Sequence, residues 1–413
     1  MQILILGNGF DLASGLPTSY YDFLSWRFEQ IKKKNNGIDI IIKRYIDYIE
    51  RKPSKQNILG NVNDDPLEMV GIYTIEKWIT YRDIHSEIKK IIDSARENSI
   101  NFFDLYFYIN KGKNNWYDVE SQIKQIVKRI NEYIDGPDDK ASDIIMIQLG
   151  QRVFKMSSYI SKEEIHSLFL IMFMESCKLE CDWNPYEILM KELRKFEEQF
   201  KIYIKEISEN VFKSPSYRKV YIDNYKKLIE NRETTHILNF NYTSILKNLD
   251  QFAQRPKELN VHGKCDKITI FGIDQEACDI STDEFIFSKT YRKISENTDS
   301  MILPYKVDRD KECQKLIFYG HSLSEADYSY FQSLFDLYDI YNQAFLTFKY
   351  SVYKKEKAYE IKKEVFHSIT KLIKKYGDTM TNKDHGKNLL HKILLEGRLK
   401  IEEITLEDMQ YEK

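Results

Sequence analysis

The chain opens on Gln2–Leu6, QILIL, a short apolar run that stops at Gly7. An unbroken apolar run of this length fits a strand buried on both faces, as in the middle of a parallel sheet. It leads straight into GNGFDLASGLPTSYYDFL, Gly7–Leu24. Around Gly7-Asn8-Gly9 the missing β-carbons let the backbone turn sharply and approach a diphosphate. Amides at the start of the following helix add donors and a partial positive charge. The strand before the motif and the helical pattern after it are the context that makes a G-x-G informative. A tight strand-to-helix turn without a ligand uses the same residues. Gly15-Leu16-Pro17 forms a second turn able to close over a ligand, and Asp11 is a candidate for a ribose hydroxyl or for the helix dipole.

The next run of this character is Thr235–Phe240, THILNF. The stretch between is mostly helical in pattern. In Asn184–Ile207, apolar residues Leu189, Leu193, Phe196, Phe200, Ile204 and Ile207 recur at helical spacing, with Pro185 where a first turn tolerates it. Loops rich in Gly, Pro, Asn or Asp break this region at Pro53–Pro66 and Asp135–Ser142.

Beyond residue 234, strands are expected at Ile237–Phe240, Leu259–Val261, Ile268–Phe271, Leu316–Tyr319, Phe345–Tyr353 and Leu399–Ile404. A helix over Ile361–Ile373 is expected to close at Gly377. Strand alternating with helix implies a parallel sheet. The fold expected is therefore α/β: a Rossmann-like parallel sheet in residues 1–24 and 230–413, interrupted by a helical insertion at 25–229.

Three later motifs lie just past apolar strands, where open parallel sheets place their ligands. Asn241, in HILNFNYTSIL, can donate to and accept from a sugar hydroxyl or a water, and an Asn after a strand is also an ordinary turn residue. His262, followed by Gly263 in NVHGKC, has the proton-exchange chemistry of a general base. Gly320-His321-Ser322, in KLIFYGHSLSEADYSYF, offers small polar contacts for ribose or adenine; Ser324 is a plausible helix N-cap there, with Asp327 in the first turn.

The order glycine loop, strand-Asn, strand-His-Gly, strand-Gly-x-Ser-Leu resembles the sirtuin-type NAD-binding domain. The resemblance implies that Gly7, Gly9, Gly15, Leu16 and Pro17 belong to the nucleotide loop. It also implies that Asn241 orients ribose and water, that His262 and Gly263 are the catalytic pair, and that Gly320, Ser322 and Leu323 complete the site. A narrower set, GNGFDLASGLPTSYYDFL, NNWYDVESQI, LNFNYT, VHG and FYGHSLSEADYSYF, resembles the AbiH family of bacterial abortive-infection proteins. Sirtuin zinc cysteines are absent, and Thr18, Ser19 and Tyr20 stand where an acidic-aromatic-basic run would follow the proline. These departures turn the implied chemistry from deacylation to NAD hydrolysis, with NAD as substrate and no metal. Within NNWYDVESQI, Trp116 reads as core, Asp118 has no assigned role, and Glu120 is a third candidate catalytic residue.

Composition narrows the rest. Hydrophobic residues are 42% and aromatic residues 14%, which predicts a folded chain. Net charge is -2, so no global field draws nucleic acid or anionic lipid. Neither an H-N-H nor a paired metal-carboxylate cluster supports a nuclease effector, which stands as an alternative beside a nucleotide-binding sensor without catalysis. Five cysteines without C-x-x-C spacing support neither a disulfide framework nor a zinc ribbon. Neither a basic leader nor a run of the ~20 apolar residues needed to span a bilayer occurs. A cytoplasmic chain is expected, with a phage-derived trigger and homo-oligomer contacts through the helical insertion as candidate partners.

Overall fold

The computed structural model describes residues 2–34, 88–112, 118–134, 184–229, 235–244, 258–263, 269–273, 281–295, 315–323, 327–352 and 354–407, with isolated residues between them. The chain divides into two compact units, Met1–Phe23 with Glu197–Lys413, and Leu24–Phe196.

The first unit carries the sheet. Its elements in chain order are β1 (Gln2–Leu6), α1 (Gly9–Ala13), α2 (Tyr20–Lys34, which continues into the other unit), then α3 (Phe102–Ile109) and α4 (Val119–Ile134) of the other unit, α5 (Pro185–Phe212, shared), α6 (Pro215–Leu228), β2 (Thr235–Asn239), β3 (Glu258–Asn260), α7 (Lys289–Ser295), β4 (Lys315–Tyr319), α8 (Tyr328–Leu337), β5 (Phe345–Tyr350), α9 (Ala358–Thr379), α10 (Lys383–Leu395) and β6 (Leu399–Glu403). The six strands form one sheet in the order β3-β2-β1-β4-β5-β6, and every pairing is parallel. This is the strand order of dinucleotide-binding sheets, with the reversal between β1 and β4. β1 is central, and Ile3–Leu6 are all buried, which is why that run is apolar without alternation.

One face of the sheet packs on α8, α9 and α10 through Ile3, Ile5, Phe318, Phe348, Phe331, Phe335, Ile369, Ile373 and Leu389, among others. On the other side, the helices from Glu197 to Leu228 are tied to the glycine loop. Tyr203 donates to the Pro17 carbonyl at 2.6 Å, Tyr217 donates to the Ser14 carbonyl, and Phe10 meets the Tyr221 ring edge-on at 5.0 Å.

In the second unit, the buried Arg27 guanidinium grips Asp104 with Nε–Oδ1 2.8 Å and Nη2–Oδ2 2.6 Å. Asp104 also completes a reciprocal cap with Asn101 at the start of α3. Losing either partner of such a pair costs about 3–5 kcal/mol.

Several sequence expectations change. Residues 269–273 make only isolated bridges, Gly263 with Thr269 and Ile273 with Ser288, so no strand forms within that part of 268–271. β5 ends at Tyr350, short of Tyr353. The helix expected to close at Gly377 runs to Thr379. Gly377 lies inside it because a β-carbon there would sit 2.3 Å from the Gly386 carbonyl oxygen. Gly386, with His385, lies on α10. The loops at 53–66 and 135–142, Trp116 and Ser324 fall outside the described residues.

Candidate functional site

Parallel register brings the motifs to one edge. Leu6 is level with Asn239 and Tyr319, and Asn239 is level with Asn260. Gly7, Phe240, Val261 and Gly320 therefore share the next row, and Asn241 and His262 are one residue beyond it. The Gly7 amide donates to the Tyr319 carbonyl at 3.0 Å and the Gly9 amide to the Gly320 carbonyl at 2.7 Å. A β-carbon on Gly7 would meet His321 Cα at 2.3 Å, and one on Gly9 would meet Gly320 Cα at 2.7 Å. Gly320 itself has φ +69° and faces the Phe10 amide. The glycines thus let the two loops interlock at the strand-order reversal, and α1 after them has only five residues.

Asn241 is held by its backbone. Its amide donates to Asn239 Oδ1 at 2.9 Å and its carbonyl accepts from Asn260 Nδ2 at 2.8 Å. Asn260 Nδ2 also reaches the Thr243 carbonyl at 2.7 Å, and Asn239 Nδ2 bonds Glu258 at 2.8 Å. The side-chain amide of Asn241 is 2% exposed, yet neither its oxygen nor its nitrogen finds a partner among the described residues. An unpaired buried amide costs about 1–3 kcal/mol, so the network holds in place a group whose bonds are left open.

His262 is 5% exposed, and its Nε2 lies 3.1 Å from Asp327 Oδ1. Lys289 Nζ is 2.9 Å from the same oxygen, and His321 Nε2 is 3.4 Å from Oδ2. Burial, then the charge of Lys289, pushes the imidazole pKa down to about 4. Burial works the other way on Asp327, yet the charge of Lys289 and hydrogen bonds from both histidines hold it well below the usual carboxylate range. A neutral imidazole beside an ionised carboxylate carries its proton on Nε2, which leaves the Nδ1 lone pair free. Nδ1 is buried and finds no partner among the described residues. Phe240 and Tyr330 wall the ring edge-on, at 5.5 and 6.1 Å. Lys293 bonds the Tyr330 hydroxyl, and burial, then Lys289, brings it down to about 7.

Asp11 is fully buried. Oδ1 accepts from Tyr221 at 3.0 Å and Oδ2 from Thr243 at 2.6 Å. Burial pushes its pKa up to about 7, against the two hydrogen bonds and with Glu258 adding to the rise. Through Thr243 it joins the network that holds Asn241.

The remaining candidates fall as follows. Asn8 Oδ1 accepts from Thr18 at 2.7 Å, which ties the glycine loop to the turn at Gly15 (φ +82°) and Pro17. Gly263 has φ +91° and bridges Thr269. Gly9, Gly320, His321 and Ser322 line a cavity of about 660 Å³ on the β4–β5 side of the reversal. Asp327 is at the N-cap position of α8 but makes no cap bond, because its carboxylate turns to the two histidines and Lys289. This corrects the expectation of a first-turn residue. Glu120 stands in the first turn of α4, in the second unit.

Sequence reading missed Asn239, Asn260, Glu258, Thr243, Tyr221, Lys289 and Lys293. Only the Asn-x-Asn of LNFNY and the strand-end Asn260 carried a readable signal. Lys289 lies on a seven-residue helix whose pattern looks like any solvated face.

A six-stranded, all-parallel sheet with a Rossmann-like strand order defines an α/β protein, and among the described residues the buried side chains of Asn241 and His262 at its carboxyl edge keep polar atoms without partners. The model of the bacteriophage abortive infection family AbiH matches residues 3–350, and the chain belongs to that family. Its role is accordingly in abortive infection by bacteriophage. No curated protein and no solved structure matches it. Among the described residues no helix is long and apolar enough to cross a membrane.

Proposed function

We propose that the chain is an abortive-infection effector that hydrolyses NAD+ to nicotinamide and ADP-ribose through a sirtuin-like site. The observation that carries this reading is the pair of open groups at one sheet edge: the Asn241 amide and the Nδ1 lone pair of His262, buried and without a partner among the described residues. Nicotinamide is a good neutral leaving group. It takes the electrons of the glycosidic bond and leaves an oxocarbenium-like ribosyl cation. Asn241 holds the ribose hydroxyl or the water. The water adds to the cation and gives its proton to His262 Nδ1, and Asp327 shares the charge of the resulting imidazolium through Nε2. Lys289 supplies the fixed cation at Asp327, so the reading needs no metal.

Incubating the purified chain with NAD+ and assaying free nicotinamide and ADP-ribose tests the reading. No release, with or without lysate from phage-infected cells, would sink it. One observation favours a second reading, a sensor that binds without cleaving: an imidazole held at about 4 is a weak base. NAD+ bound by titration but never cleaved would establish the sensor.

A further inference from the structure

We infer that the cavity beyond Gly320 seats the nucleoside end of the dinucleotide, and that Glu364 reads a free ribose 2′-hydroxyl, so that the protein takes NAD and rejects NADP. The inference rests on the functional reading above and names the half of the substrate that Asn241 and His262 do not touch.

The cavity, about 660 Å³, is of the size that binds small ligands. Gly9, Gly320 and His321 form its inner wall. The same His321 turns its Nε2 to Asp327, 3.4 Å away, and Asp327 holds His262. The cavity and the open lone pair thus lie on the two sides of one interlocked pair of loops, at the strand-order reversal where a dinucleotide straddles the sheet.

The wall chemistry suits a nucleoside. Leu12 is 43% exposed at the cavity, an apolar side chain offering a surface for a flat base, and Val365 on α9 also lines it. Polar contacts come from Ser322, Ser368 and the hydroxyl pair Tyr319–Ser351, 2.6 Å apart. One carboxylate, Glu364, and one lysine, Lys349, belong to the wall. Lys349 Nζ is committed to the Leu228 carbonyl at 3.1 Å and lies 3.8 Å from Glu402. Glu364 is exposed, so its oxygens can accept from a ribose hydroxyl. A carboxylate that accepts from a 2′-hydroxyl repels a 2′-phosphate, whereas an arginine at such a place welcomes one.

Calorimetric titration with ADP and with adenosine 2′,5′-bisphosphate tests this, since both carry the nucleoside end and neither carries nicotinamide. ADP should bind at least tenfold more tightly. Glu364→Arg, at an exposed position, should narrow or reverse that ratio by at least tenfold. Ser368→Trp should fill the cavity and weaken ADP at least tenfold with melting temperature unchanged, while His262→Ala changes ADP binding less than threefold. Equal binding of the two probes, or ADP binding indifferent to both cavity variants, or no binding up to millimolar ADP, overturns the inference. Nicotinamide release by the wild type is scored separately. Cleavage without probe discrimination removes the inference alone, and discrimination without cleavage removes hydrolysis alone.

Discussion

His262 Nε2 and Asp327 Oδ1 stand 3.1 Å apart, and this contact decides which imidazole nitrogen keeps a lone pair. His262→Ala is expected to lower nicotinamide release by about 10²–10⁴-fold, the usual worth of a general base, with NAD+ affinity nearly unchanged. Asp327→Asn is expected to match that loss, because an amide that donates to Nε2 moves the ring proton to Nδ1. It also leaves Lys289 buried without its counter-charge, at a cost of about 3–5 kcal/mol, so melting should fall for Asp327→Asn and hold for His262→Ala. Full turnover in either variant removes the base from His262.

Asn241 predicts an exchange of stability against function. Its side chain makes no hydrogen bond to the described residues that alanine would lose, so Asn241→Ala should melt at the wild-type temperature or above it. Nicotinamide release should fall at least tenfold, with NAD+ binding weakened as well. A melting temperature several degrees lower would make Asn241 a structural residue.

Asp11 sets a pH dependence of stability. Its folded pKa of about 7 lies above the unfolded 3.8, so the folded state keeps a proton that the unfolded chain releases. Stability from this group is therefore greatest in acid and falls as pH rises from about 4 to about 7. Asp11→Asn should remove that slope. Urea titrations at about pH 5 and pH 8 should show the variant gaining on the wild type by about 2–3 kcal/mol, whatever fixed penalty the lost acceptor brings. A constant difference across that range would mean that Asp11 is ionised throughout.

Gly320→Ala tests the interlocked loops. The position has φ +69°, and a β-carbon would stand 2.5 Å from the Phe10 amide nitrogen. Strain and clash together should cost about 2–3 kcal/mol or more, and NAD+ binding should fall with stability. Gly112, at φ +83° with nothing near its β-carbon position, is the control: alanine there carries only the backbone strain. Equal melting of the two variants would show that the loops tolerate separation.

Much of this fold could be read beforehand because strands buried on both faces are written as short apolar runs, and QILIL, HILNF and LIFY each end one residue before Gly7, Asn241 or Gly320 at the carboxyl edge of the sheet. Register did the rest, since parallel strands in step bring their ends together. What stayed illegible depends on long-range pairing. Asp327 looked like an ordinary first-turn acid because its partners, His262 and Lys289, are distant in sequence. Asp11 looked like a ribose ligand, and its burial under Tyr221 is invisible until α6 is folded back over α1. Gly377 read as a stop signal because a glycine that ends a helix and one that admits another helix share the same letter.

The position of β1 has a consequence for synthesis. β1 lies between two partners that follow it far along the chain, Thr235–Asn239 and Lys315–Tyr319. During synthesis β1 therefore waits for its first partner until translation has passed residue 239 and for its second until it has passed residue 319. Neither Gly9 nor Gly320 has the other to dock on before then. A ribosome that stalls before residue 320 releases a fragment without the interlock.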